Sequence, residues 1–368
     1  MIRTRSLLTQ SAATGLAALA LVFSLGGSAL AASQASGHAA RAATQAPVPA
    51  GVTFHKLTLI HGWASSQPIY TTGDPSVGIS NGIVYLSGSL HQSSGSNNEF
   101  AVLPAAYRPN HFLYLPIYTL SDGEGSLQIN PDGRVYLFGG GNTQGYSSLA
   151  GVSYPLTAGP LKLTPINGWT SAQGTDGTGN PSAAISNGVV RLSGSVYQPS
   201  GTNNEFAILP TAYRPSHYLY IPIYADNGAE GSLEVSPSGG LFLFGNSATE
   251  GFSSLAGVSY PLTLGSKSLT LLNGWASSQG SDGTGNPGVA VSNGVVRLVG
   301  SLHSSGSNNK FAVLPKGDRP THFLYLPIYT NGGSEGSLDI RPNGAMLIIG
   351  SPGFAFSSLA GVSFPLGS

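Results

Sequence analysis

A sixteen-residue stretch that recurs three times limits what this chain can fold into. Leu103 to Tyr118 reads LPAAYRPNHFLYLPIY, Leu209 to Tyr224 reads LPTAYRPSHYLYIPIY, and Leu314 to Tyr329 reads LPKGDRPTHFLYLPIY. The flanking residues repeat with it: Trp63, Trp169 and Trp275 stand 106 residues apart, as do Asn81, Asn187 and Asn293. A period above a hundred is too long for a solenoid turn or a propeller blade of roughly 20–50 residues, so each repeat is a domain in itself. The expected divisions are 55–158, 159–264 and 265–368, joined by segments too short to let the domains roam.

The last seven residues of each stretch separate into two chemistries by strand alternation. In the first copy Leu113, Leu115 and Ile117 point one way, and Phe112, Tyr114, Pro116 and Tyr118 point the other. Neither face carries a charged or amide side chain, so both are expected to be covered. The aliphatic face fills the domain's own core. The aromatic face needs a second surface, because three large aromatics make a patch of about 500 Å², near the upper end of what a soluble monomer leaves open. We therefore expect the copies to pack on one another as an intrachain pseudo-trimer. The proline marks an edge strand, since it cannot donate to a ladder, and a neighbouring copy would cover that edge.

The rest of each copy reads as short strands and turns. KLTLIHGW (Lys56 to Trp63) reads as a first strand. VGIS, Asn81-Gly82 and IVYLSGSL then form a hairpin, since Asn-Gly supplies the two positive-φ positions of a type I′ turn; the signal recurs at Asn187-Gly188 and Asn293-Gly294. SLQIN, Pro131-Asp132-Gly133 and VYLFG make a second hairpin, and LAGVSYPL closes the copy. About eight strands per hundred residues without helical periodicity indicate an all-β chain of three tandem antiparallel β-sandwiches of jelly-roll type.

Before the copies, Arg3 and Arg5 precede an apolar run and the Ala29-Leu30-Ala31 cleavage pattern, so residues 1–31 read as a secretion signal and 32–54 as a flexible leader. A secreted, extracellular product without a membrane span after cleavage is expected. The chain holds 15 basic and 15 acidic residues and no cysteine. A neutral chain lacks the basic face that nucleic acid requires, and disulfides, thiolate metal sites and a cysteine nucleophile are excluded.

The order of motifs resembles a known module. Gly82-Ile83-Val84-Tyr85-Leu86-Ser87-Gly88, Leu103-Pro104 with Tyr107-Arg108-Pro109, Pro131-Asp132-Gly133, and Leu149-Ala150-Gly151-Val152-Ser153-Tyr154 follow one another as in the β-sandwich head of bacteriophage tail fibres and receptor-binding proteins. That head is similar to the trimeric heads of the C1q and tumour-necrosis-factor type. The resemblance implies three sandwiches meeting around an axis, here within one chain. It departs from the family in having no coiled-coil shaft or collagen-like stalk before the copies.

Few ionisable residues are shared by all three copies. Arg108, Arg214 and Arg319 with Glu124, Glu230 and Glu335 read as structural ion pairs holding a loop against the sandwich. His111, His217 and His322 read as polar residues at strand mouths, with convergence on a metal as the sharper alternative; no metal and no cofactor is expected. Paired-carboxylate catalysis would need a second shared acid and a serine triad a nucleophile elbow before a helix, and the repeat carries neither. Trp63, Trp169 and Trp275 read as core lids, with stacking on a sugar ring as the alternative. Tyr114, Tyr118, Tyr220, Tyr224, Tyr325 and Tyr329 read as inter-copy packing, with a ligand platform as the alternative. The glycine-rich loops at 174–181 and 280–287 read as flexible turns. The expectation is a non-enzymatic binding module that recognises a cell-surface glycan or protein through sandwich loops. A structural component of an extracellular layer and a cryptic hydrolase are the alternatives.

Overall fold

The structure is a computed structural model and describes residues 51–368 apart from 140, 246, 263–264, 334 and 351. Residues 1–31, read above as a secretion signal, and nearly all of the expected leader lie outside the described residues. From residue 51 onward the chain is all-β, with only short helical turns between strands.

In the first copy the strands are β1 (Phe54–Lys56), β2 (Trp63–Ser65), β3 (Ser76–Ser80), β4 (Ile83–Ser87), β5 (Ser89–Gln92), β6 (Glu99–Val102), β7 (Leu113–Thr119), β8 (Gly123–Ile129), β9 (Arg134–Phe138), β10 (Ser147–Ser148) and β11 (Ser153–Pro155). They form two antiparallel sheets, ordered β1-β3-β4-β11 and β2-β5-β10-β7-β8-β9-β6. Val84 and Leu86 of the first sheet share one buried cluster with Leu115, Ile117, Leu127 and Leu137 of the second, so each copy is β-sandwich-like around its own core. The other copies repeat this arrangement, except that their second sheet divides into parts bridged at Ala225–Ser253 and Thr330–Ser357.

Both Asn-Gly hairpins and glycine-ended turns take the expected form. β3 pairs with β4 across Asn81-Gly82, where both residues have positive φ, and β8 pairs with β9 across Pro131-Asp132-Gly133. The expected first strand, Lys56 to Trp63, is instead a crossover. Its beginning pairs with β3 in one sheet and Trp63 opens β2 in the other. The turn between them is His61-Gly62, with φ of 54° and 79°, and Asn167-Gly168 and Asn273-Gly274 take the same conformation. The leader also ends earlier than its composition indicates. Val52 is buried with Ile83, Tyr85 and Val295, and β1 begins at Phe54.

The proline strand is an edge strand as read from sequence. Leu219–Tyr224 and Leu324–Tyr329 each end a sheet order, and β7 touches β10 only at Thr119, beyond Pro116. These three strands meet pairwise, each against both of the others. The contacts run in a ring. The first tyrosine of each copy stacks on the second tyrosine of the next: Tyr114 on Tyr224, Tyr220 on Tyr329, and Tyr325 back on Tyr118, each with ring centroids 5.2 Å apart. The LAGVS loops follow the same cycle. Ala256 completes the core of the first copy, Ala360 that of the second and Ala150 that of the third.

Candidate functional site

Trp63, Trp169 and Trp275 are core residues. Each is 5% exposed and packs near a buried phenylalanine, Phe100, Phe206 or Phe311. Their indole N–H groups donate to the carbonyls of Asn97, Asn203 and Asn308 at 2.7–2.8 Å. A ring sealed on its apolar body and satisfied at its polar end offers a ligand no face, so the sugar-stacking alternative is corrected to structural support.

The arginine–glutamate pairing is corrected as well. Arg108, Arg214 and Arg319 donate through Nε to the carbonyls of Leu103, Leu209 and Leu314. They lie against Gly133, Gly239 and Gly344, in the turn that follows the glutamate-bearing strand. Glu124, Glu230 and Glu335 begin those strands, at the opposite end. A strand of six or seven residues at about 3.3 Å each separates arginine from glutamate, too far for an ion pair. The side chains of Glu124 and Glu335 lie outside the described residues. The arginine therefore staples its own loop by a charge-assisted bond to backbone.

The histidines do not converge. His111 faces Gly179 of the second copy, His217 faces Gly285 of the third and His322 faces Gly73 of the first, one at each seam. Among the described residues no cluster of three metal-ligating side chains occurs. The same seams give the glycine-rich loops a role that composition hides. The backbone N–H groups of Phe112, Tyr218 and Phe323 donate to the carbonyls of Gly177, Gly283 and Thr71 in the next copy, at 3.1–3.2 Å. These loops are docking elements: Gly177 and Gly283 each have a φ of 64°, and a Cβ at Gly177 would sit 3.0 Å from the Phe112 ring.

The six tyrosines line the seams and are half-buried, so packing and partial exposure coexist. Each stacked pair meets a third aromatic edge-on: Phe252 between the first and second copies, Phe356 between the second and third, and Tyr146 between the third and first. Burial raises the pKa of Tyr114, Tyr220, Tyr224 and Tyr325, keeping these hydroxyls neutral, as donors, across the physiological range.

The seams differ in what surrounds these rings. Between the second and third copies lies a groove of about 500 Å³ lined by Tyr220, Tyr329 and Phe356, with Ser278, Ser281, Asp282, His303, Asn331 and Gly332 around them. Asp282 closes the short helical turn Gln279–Asp282, which projects it into solvent, where its carboxylate accepts from Ser281 at 2.5 Å. His303 Nδ1 lies 3.0 Å from the Ser278 hydroxyl. That pair has the residue types of a nucleophile and its base, but Ser278 is buried at 1% exposure, so the contact fixes the imidazole rather than presenting a hydroxyl to substrate. Beside Tyr220 and in register with it stands Glu234, where burial raises its pKa against the opposing effect of the Tyr220 hydrogen bond.

Neither other seam repeats the combination of Asp282 and His303 at these two positions of the repeat. Between the third and first copies Tyr70 stands where Asp282 does and caps Tyr146 edge-on at 4.8 Å. Between the first and second, Asp176 is present but Tyr197 replaces His303 and Ala172 replaces Ser278. Residues shared by all three copies were the ones the sequence brought forward, and this set is specific to one seam. The one signal that marks it is substitution between copies at otherwise repeated positions. No family model matches the chain, and neither a curated protein nor a solved structure matches it.

Proposed function

We propose that this protein is a non-enzymatic binding module, a covalent pseudo-trimeric head that recognises an extracellular glycan in the groove between its second and third copies. The observation that carries the reading is the combination of an aromatic floor, Tyr220, Tyr329 and Phe356, with a rim of Asp282, His303 and Asn331 in one groove of about 500 Å³. A sugar ring has an apolar C–H surface that packs on aromatics and hydroxyls that need charged or amide partners at its edge. Rigid strands set the floor and loops set the rim, the division of labour that suits recognition. The ring of inter-copy contacts supports the likeness to trimeric tail-fibre heads, and the signal-like residues 1–31 support export to where such ligands are found.

Screening the purified chain on a glycan array, with competition by free sugar, tests this directly. Binding that Asp282→Ala weakens by at least about tenfold, at unchanged thermal stability, is the expected result, since a hydrogen bond to a charged group contributes on that scale. Silence across the array overturns the glycan reading and favours a structural role in an extracellular layer.

A further inference from the structure

At the ends of the β3–β4 hairpins a second cavity lies where all three copies meet. It measures about 20 Å³ and is lined by Tyr85, Arg191 and Arg297 with Asn81, Asn187 and Asn293. Tyr85, Arg191 and Arg297 occupy the same position of the repeat, each in the central hairpin strand of its copy, flanked by Val84 and Leu86 or their counterparts, which face the core. Alternation sends the other set outward, yet all three side chains are only 5% exposed, because the hairpin strands of the other copies cover them.

Two buried guanidiniums thus share one small space. Among the described residues no carboxylate stands within 4.0 Å of either. Arg297 donates through Nη1 to Ser292 Oγ at 3.2 Å, while its Nε is buried without a hydrogen-bond partner. Tyr85 favours the charged form of both arginines, by proximity and by a hydrogen bond to each, but it is not a carboxylate. Burial, reinforced by Arg297, pushes Arg191 down to about 10, which still leaves it charged at neutral pH. A buried charge persists where it is paired, and a like-charged neighbour raises the need for a partner.

We propose that this cavity binds a single monatomic halide, chloride under ordinary solution conditions, between Arg191 and Arg297. The volume decides the class of anion. About 20 Å³ accommodates one species of roughly the size of a water molecule, and a tetrahedral oxyanion is larger than that. The orphaned Nε of Arg297 supplies a donor, the two guanidiniums supply the field, and the ion ties the second and third copies together at their hairpins.

Two measurements on the full chain test this. The first follows thermal unfolding as sodium chloride replaces sodium gluconate at constant ionic strength. A saturable rise of about 3 °C is expected, and Arg297→Met or Arg191→Tyr, which places the first copy's residue in the second, removes the saturable part. The second is anomalous diffraction from crystals grown in sodium bromide, where a bromide peak between Arg191 and Arg297 is expected whether or not the variants fold. A cavity without a bromide peak in the unsubstituted protein overturns the proposal, as does a melting temperature indifferent to halide.

Discussion

Gly151, Gly257 and Gly361 each press against the proline-containing strand of another copy. Each has a φ near +80°, and a Cβ at Gly257 would sit 2.7 Å from Leu115 Cδ2 of the first copy. Gly257→Ala should therefore combine left-handed strain with a side-chain clash and cost about 1–3 kcal/mol, read as a lower urea midpoint. Single residues were unevenly legible in the sequence. Asn81-Gly82 announced its hairpin because apolar runs flank it on both sides. The turn at His61-Gly62 is masked, because the apolar residues before it read as a continuous strand. The tryptophans read from sequence as core lids with sugar stacking as the alternative, and their burial decides between the two, whereas sequence carries no sign that a guanidinium will bond its own backbone.

At the scale of the element, the LYLPIY strand does two jobs with its two faces. Its aliphatic face completes a core and its tyrosines join copies, a division that alternation alone revealed. A double-mutant cycle on Tyr220→Ala and Tyr329→Ala should give a coupling of about 0.5–1.5 kcal/mol, the range for aromatic pairs beyond area burial. The neighbouring strand adds a pH dependence. The folded pKa of Glu234 is raised by burial, so the folded state binds its proton more tightly than the unfolded chain does. Its contribution to stability is then present below the unfolded carboxylate range and is lost as pH rises through the folded value. Glu234→Gln should leave the melting temperature nearly unchanged at pH 4 and raise it at pH 7, compared by scanning calorimetry at both. The groove above this strand was illegible in the sequence, because Asp282 and His303 are 21 positions apart on one copy and meet the tyrosines of two. A repeat read for its shared residues hides a site made by its differences.

For the whole molecule, triplication in one chain replaces association of three. Each copy carries a tyrosine-bearing edge and receives an alanine of the next copy into its core, so none is complete alone. Residues 51–158 by themselves should form trimers or aggregates in size-exclusion chromatography with light scattering, driven by the exposed aromatic face. The threefold count and the all-β class were plain from the sequence, and the closed order of contacts was not, because it depends on which loop of which copy reaches which strand. Small-angle X-ray scattering on residues 51–368 measures that closure most directly. A closed ring of copies predicts one compact particle with a radius of gyration of about 20 Å. A much larger radius, with the scattering profile of three separate beads in a row, would contradict it.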